Sequence, residues 1–555
     1  MLRKTFYTGF FLLLCLNVRA MENTADSTFY YTLTSVPKHD RTDLEITLRF
    51  QATTDTPVVM QLLRDFYGTP QIHKYLTSFT GLNGTVIKET AEPDKKIISP
   101  NTKKEISLTY HLSFDPIALR DASYAPNTAD SYFHIAACQW MLVAGSLSTP
   151  HVYDIRILSP PKGWALYASA SDNPSHINLE GSYRQLFNKY WGGGAQAHRQ
   201  FVLEGKKINV FISEKIKLPQ QEVLDAVYRI IHYQRSLFND HDFPFYTVTI
   251  LPREDNVAGL RVKNMFMCYV QPDVTPRQLY QLIAHELFHE WLGGRISITE
   301  KEEDAGFEHH WLTEGFTDYF ACKTLLALKM ITPAEFITMI NRYIINIADN
   351  QFRNYSLQAL IDLANKGRYG TEATKLQYYR GALIALDTER DLKRSDTANS
   401  LESFIKELYD STTSARKGIS ESFLFDFARR RQANLQKASE DNIVHGDSIK
   451  LYDDAFGTNY QLKETGVPSF ELGFSLGETK KTRKITGLIP GSGAEKAGLK
   501  EGMEFLSIEN YNRFGNNWRY DRPVIVRVND NGIEKAISWF PSGKPMTLLL
   551  YTAKK

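Results

Sequence analysis

The twenty residues from Thr275 to Gly294 leave this chain little freedom. They read Thr275-Pro276-Arg277-Gln278-Leu279-Tyr280-Gln281-Leu282-Ile283-Ala284-His285-Glu286-Leu287-Phe288-His289-Glu290-Trp291-Leu292-Gly293-Gly294. Thr275 can cap a helix, Pro276 suits its first position and Gln278 completes a capping box. Leu279, Leu282, Ile283 and Leu287 recur at helical spacing, so the segment is predicted to be a buried helix of about five turns that Gly293-Gly294 can end. Histidines four apart share one face of a helix, and His285 and His289 can aim two imidazoles at one ion. Glu286 can reach a water on that ion from the side and take its proton as general base. Two core histidines could fall at this spacing by coincidence, but the caps and the mid-helix placement favour a zinc site.

A catalytic zinc takes three protein ligands and keeps a position open. The third is sought in Phe307-Glu308-His309-His310-Trp311-Leu312-Thr313-Glu314-Gly315-Phe316-Thr317-Asp318-Tyr319. Glu308, His309, His310 and Glu314 compete. Glu314 is favoured because it opens an apolar helix (Phe316, Tyr319, Phe320, Leu325) able to pack against the first. Asp318, one turn on, could orient a ligand histidine.

The rest of the chain supplies context. Its 555 residues exceed one ordinary core. Lys+Arg 65 against Asp+Glu 63 gives a net charge of +2, with none of the concentrated basic surface that a nucleic-acid partner would want. Met1-Leu2-Arg3-Lys4, an apolar run from Phe10 to Leu16 and Val18-Arg19-Ala20 read as a secretory signal over 1–20, so the mature chain is expected to be secreted or periplasmic. No later stretch is apolar and long enough for a stable membrane span. Cys138, Cys268 and Cys322 then remain, which is no disulfide framework and offers no CxxC zinc site. Tyr30–Thr34, Leu44–Phe50 and Ile106–Leu112 alternate apolar and polar residues, predicting a β-sandwich-like domain over 21–165. Strand signals at Ile208–Ile212 and Tyr246–Leu251 flank a helical stretch, Gln221 to Phe238. Helices then dominate to about Lys450, and the final hundred residues return to short strands with glycine turns.

His285-Glu286-Leu287-Phe288-His289-Glu290-Trp291 followed by Trp311-Leu312-Thr313-Glu314-Gly315-Phe316 resembles the gluzincin aminopeptidases. Within them it is most similar to the glycyl aminopeptidase family that carries a C-terminal PDZ domain. Leu237-Phe238 through Pro244-Phe245-Tyr246, Trp291 through Arg295-Ile296, and Gln377-Tyr378-Tyr379-Arg380-Gly381-Ala382-Leu383 add to the likeness. His289 and Glu314 are further apart (314 − 289 = 25) than in the best-known relatives, and Glu308 sits at the shorter offset (308 − 289 = 19). The Trp-Leu-x-Glu-Gly context nevertheless points to Glu314, with an insertion around Lys301 to Ala305. The resemblance implies a multidomain α+β chain: the N-terminal β-rich domain, a thermolysin-like zinc catalytic domain with a helical subdomain over 166–455, and a PDZ domain over 462–555.

It also implies roles for individual residues. A tyrosine hydroxyl assists the oxyanion in such enzymes, and by register Tyr378 is the candidate, with Tyr379 in reserve. Many relatives hold the substrate's free amine with a glutamate ahead of the zinc helix. The corresponding stretch here is Ala258-Gly259-Leu260-Arg261, so Gly259 and Leu260 are candidate substrate contacts and Arg261 stands where the carboxylate would be. A guanidinium repels an ammonium, which puts strict aminopeptidase activity in question. Phe470-Glu471-Leu472-Gly473-Phe474 followed by Gly487 through Gly502 resembles a PDZ domain, and Leu472-Gly473-Phe474 would be the loop whose N–H groups capture a peptide C-terminus. The expectation is a secreted metallopeptidase with one zinc per chain, acting on peptide or protein substrates through a zinc-activated water and Glu286. A PDZ-bearing binding protein and a zinc hydrolase of a non-peptide substrate are the alternatives.

Overall fold

In the computed structural model the described residues are 28–38, 41–65, 71–113, 125–129, 131–158, 160–195, 197–253, 257–298, 307–365, 370–413, 418–509, 511 and 523–554. The expected signal over 1–20 and the expected insertion at Lys301 to Ala305 lie outside them. Two compact units divide the chain, 1–196 and 197–555. Among the described residues no helix is long and apolar enough to cross a membrane. Cys138, Cys268 and Cys322 are free and buried.

The first unit is built of sheets. Its largest has six strands in the order His176–Ser182, Pro150–Leu158, Thr28–Pro37, Thr42–Gln51, Glu105–Leu112, Leu76–Gly81. Every second residue of Thr28–Pro37 from Phe29 to Leu33 is buried, opposite Leu44, Ile46, Leu48 and Phe50 of its antiparallel neighbour, the expected two-residue period. Thr28–Pro37 pairs in parallel with Pro150–Leu158 on its other side. Two four-stranded sheets complete the unit. It runs past residue 165, because Ala165–Ala168 pairs with Tyr190–Gly194, which in turn pairs with Tyr132–Ala136, and His176–Ser182 pairs with Pro150–Leu158. The compact unit extends to 196, and the domain expected over 21–165 lies within it.

The second unit opens on a five-stranded sheet ordered Ala197–Leu203, Lys206–Ile212, Phe245–Pro252, Met265–Val270, Ala258–Val262. The two central pairings are parallel and the outer ones antiparallel. Parallel neighbours need a crossover, and the helix Gln220–Phe238 provides it between Lys206–Ile212 and Phe245–Pro252. Strands Phe245–Pro252 and Met265–Val270 are buried almost throughout, as a strand covered on both faces must be. The helix Pro276–Phe288 packs on Met265–Val270 and Ala258–Val262 and against the helices Gln220–Phe238 and Thr317–Ala327. This packing fixes the position of the histidine helix.

Helices carry the chain from Thr317 to His445, and short strands return after Tyr460. Tyr460–Phe470 pairs with Ser542–Ala553, and Glu504–Glu509, Val524–Asp530 and Ile533–Trp539 form a separate three-stranded sheet. That C-terminal region has its own core, including Leu472, Phe474, Ile485, Val526 and Trp539. It is nonetheless tied to the helices. Asn341 and the Tyr551 backbone exchange two hydrogen bonds (2.8 and 2.9 Å), and the Phe470 N–H donates to Asp349.

Candidate metal centre

The histidine helix starts as its sequence dictates. The Thr275 hydroxyl accepts from the Gln278 N–H at 3.4 Å, the Gln278 side chain accepts from the Thr275 N–H at 3.1 Å, and Pro276 takes the first turn, where a missing N–H costs nothing. The helix ends earlier than expected, at Phe288, with His289 at its C-cap. The backbone there tightens, Glu290 N–H bonding Leu287 O and Trp291 N–H bonding Phe288 O. Gly293 takes a φ of +90°, and its N–H bonds Ile296 O. Its role is to turn the chain after the helix rather than to end it.

His285, His289 and Glu314 converge. The two Nε2 atoms are 3.1 Å apart and stand 3.2 and 3.4 Å from Glu314 Oε2. Three ligand atoms about 2.0–2.1 Å from a tetrahedral zinc stand about 3.3 Å from one another, so the triangle has the size that ion requires. The outer faces of the rings are also fixed. His285 Nδ1 is 2.8 Å from Asp318 Oδ1, and His289 Nδ1 is 3.2 Å from the Leu292 carbonyl, which leaves both Nε2 atoms for the centre. Burial disfavours a charged His285, yet hydrogen bonds to Asp318 and Glu314 outweigh it and push its pKa up to about 10. Burial would likewise raise Glu314, but His289 and His285 hold it well below the usual carboxylate range. The field at this point favours a cation, and the donor set fits zinc.

Glu286, next to His285 on the helix, reaches the edge strand. A Cβ on Gly259 would stand 1.9 Å from Glu286 Oε1, so the strand Ala258–Val262 can pass this close only with glycine there. Burial pushes the Glu286 carboxyl up against the lowering influence of His285 and His289. Two residues further along the strand, a second pair meets just past the end of the helix. Arg261 donates to both oxygens of Glu290, from Nε at 2.9 Å and Nη2 at 2.6 Å, and the Tyr246 hydroxyl donates to the same carboxylate at 2.8 Å. Arg261 is thus held by a buried partner, a pairing its sequence position does not reveal. Leu260 is half-buried on the intervening face of the strand.

Glu314 lies in a widened, π-type turn, Trp311–Phe316, that runs into the helix Thr317–Ala327. The helix Gly370–Ser395 crosses this turn at glycine contact: a Cβ on Gly315 would meet Gly381 Cα at 2.4 Å, and one on Gly381 would meet the Trp311 carbonyl. That approach brings Tyr378 to the centre. Its ring lies parallel to His285 with centroids 6.1 Å apart, and its hydroxyl is close enough to Glu314 to feel the carboxylate. Burial and the Glu314 carboxylate push the phenol up, so it stays protonated and can donate. Tyr379 turns into the core beside Tyr343. Of the other ligand candidates, Glu308 is exposed, His309 lies 3.5 Å from Glu421, and His310 packs on Phe307 and Tyr378. None joins the triangle. Sequence reasoning passed over Lys375, one turn before Tyr378, whose Nζ sits 3.7 Å from the Tyr378 ring centroid. Its i, i+3 spacing was the available signal.

In the C-terminal region the side chains of Leu472 and Phe474 are buried, and Gly473 has a φ of +91° with Ser492 and Ala494 pressed against it. The Gly473 carbonyl accepts from the Ile489 N–H at 2.7 Å, and that of Leu472 from Trp539 Nε1 at 3.1 Å. The N–H groups of Leu472, Gly473 and Phe474 have no acceptor among the described residues.

Comparison with known proteins bears on this centre. A family model described as M61 glycyl aminopeptidase matches residues 278–384. Leucine aminopeptidase 2 of Sclerotinia sclerotiorum is 25% identical over 214 residues, 35% of this chain and 33% of that protein. A leukotriene A-4 hydrolase homolog of Botryotinia fuckeliana is 24% identical over 214 residues, 35% of this chain and 31% of that protein. The chain spans about a third of the length of these curated relatives. In structure it is similar to an aminopeptidase N family protein from Idiomarina loihiensis, with a TM-score of 0.69 and 15% identity over 95% of this chain and 98% of the other. That likeness concerns the fold, a multidomain arrangement of an N-terminal sheet domain and a helical region. The residues matched by the family model include the histidine helix from Gln278 onward, Glu314 and Tyr378.

Proposed function

We propose that this chain hydrolyses peptide bonds with one zinc ion held by His285, His289 and Glu314. The observation that carries the reading is the triangle of 3.1, 3.2 and 3.4 Å separations with a buried carboxyl, Glu286, beside it. A bound zinc would acidify water and polarise the scissile carbonyl. Glu286 takes the proton of the attacking water and passes it to the leaving amine. Tyr378 donates a hydrogen bond to the oxygen that becomes negative as the carbonyl turns tetrahedral. Asp318 and the Leu292 carbonyl keep the histidine rings oriented.

The strand Ala258–Val262 offers no carboxylate to a free ammonium, and the Arg261 guanidinium is engaged with Glu290. Blocked or internal peptide bonds are therefore proposed to be cleaved at least as well as those beside a free terminus. Secretion is proposed from the first twenty residues. A PDZ-like role for the C-terminal region is proposed from the N–H groups of Leu472, Gly473 and Phe474, which have no acceptor among the described residues. The likeness to a leukotriene A-4 hydrolase homolog keeps hydrolysis of a non-peptide electrophile as a second reading of the same centre.

Elemental analysis of purified protein tests the ligand set. Wild type and Glu308→Gln are expected to hold one zinc per chain, and Glu314→Gln to lose it. Retention by Glu314→Gln with loss in Glu308→Gln would assign the third ligand to Glu308.

A further inference from the structure

Several cations packed inside the second unit are matched by carboxylates, and Arg380 by the backbone carbonyls of Tyr355, Arg353 and Gly446. Arg261 has Glu290, Lys323 has Glu389 and Glu402, and Arg295 has Asp240. Lys375 departs from this pattern. It is half-buried and has no carboxylate within 4.0 Å among the described residues. Its ammonium rests on the face of the Tyr378 ring, 3.7 Å from the centroid, where the ring quadrupole replaces part of the lost hydration but accepts no directed hydrogen bond. An ammonium has three donors, so those turned away from the ring remain for a partner.

The position is at the reaction centre. Tyr378 stacks on His285 and makes edge contact with His310, and Lys375 lies one turn before it on the same face of Gly370–Ser395. A charge of this kind, desolvated on one side and without a carboxylate partner among the described residues, favours an anion arriving with the substrate.

Resting on the peptidase reading, we propose that Lys375 is a specificity residue that binds a carboxylate of the peptide substrate close to the scissile bond. Two peptide groups share that chemistry: an Asp or Glu side chain next to the bond, and the C-terminal carboxylate of a short peptide. Both place a planar anion within reach of the ammonium, and a charge-assisted hydrogen bond forms on binding.

Matched peptides test the proposal. One pair differs as Glu against Gln beside the scissile bond, the other as C-terminal acid against C-terminal amide. Steady-state kcat and KM are measured for wild type, Lys375→Met and Lys375→Arg, with zinc content and melting temperature checked for each. The acid-to-neutral ratio of kcat/KM is expected to fall about tenfold to a hundredfold in Lys375→Met, mainly through KM, in the pair that carries the recognised group, and to recover in part in Lys375→Arg. An unchanged ratio in both pairs, with kcat falling equally on all peptides, would overturn the proposal and make Lys375 a positioning residue for Tyr378. Calorimetric binding of the same peptides to Glu286→Gln, with and without Lys375→Met, separates this from the peptidase reading. Lys375-dependent preference for acids without any turnover by wild type refutes the peptidase reading alone; equal binding of acid and neutral peptides refutes the role of Lys375.

Discussion

Arg261 and Glu290 are joined by two hydrogen bonds, 2.9 and 2.6 Å long, across the interface between the edge strand and the histidine helix. Tyr246 donates to the same carboxylate, and together with Arg261 it holds Glu290 below its ordinary pKa although burial pushes the other way. Breaking a buried pair from one side strands a charge. Arg261→Ala is expected to cost roughly 3–5 kcal/mol of stability, with much of the loss recovered in Arg261→Ala/Glu290→Gln. Denaturant melts of the two variants check this. Because the pair engages Arg261, matched peptides with free and acetylated N-termini are expected to be cleaved at similar rates; loss of cleavage on acetylation would mark an ordinary aminopeptidase.

Gly259→Ala tests the same interface one step along. The added methyl would stand 1.9 Å from Glu286 Oε1, so the carboxylate must swing from its place while the triangle of ligand atoms is untouched. Zinc content is expected to stay near that of wild type, with kcat lower on the order of a hundredfold or more. A change in kcat of only a few fold would show that Glu286 does not work from the position it holds here.

Tyr378→Phe should lower kcat by on the order of a hundredfold or more, the loss expected when one oxyanion donor is removed. Tyr379→Phe should leave kcat within a few fold, because Tyr379 faces Tyr343 in the core. The reverse outcome would move the oxyanion role to Tyr379.

The centre was readable in the sequence as far as short-range geometry reaches. Thr275, Pro276, Gln278, His285 and His289 act within one helix, where 3.6 residues per turn settle which side chains are neighbours. The end of that helix was not readable, since Gly293 is used for the turn to Ile296 and the tightening at Leu287–Trp291 comes first. Arg261–Glu290 and Gly315–Gly381 depend on which elements pack together, information that no local pattern carries. The strand period located Thr28–Pro37 and its partners, yet the N-terminal unit runs to 196 because later strands join its sheets. Lys375 was overlooked because a lone lysine on a helix is ordinarily a solvated one.

Asp387 provides a test away from the centre. Burial, with Asp391 nearby, raises its pKa to about 6, and Arg390 offsets this only in part. An unfolded aspartate titrates near 3.9, so the stability this group contributes is complete below about pH 4 and is lost as pH rises through about 6. Asp387→Asn is therefore expected to stabilise the protein at pH 8, on the order of 1–3 kcal/mol, and to be near neutral at pH 4. Melts of both proteins across that range measure the difference, and a pH-independent effect would contradict it.

The central claim is that His285, His289, Glu314 and Glu286 form one peptide-hydrolysing zinc centre. Digestion of a peptide library by wild type, by chelator-treated protein, by chelated protein given back zinc, and by Glu286→Gln tests it most directly. Cleavage by wild type, its loss with the chelator, its return with zinc, and a drop of several orders of magnitude in Glu286→Gln with zinc still bound are the results expected. Cleavage that survives complete removal of the metal, or that Glu286→Gln retains in full, would contradict it.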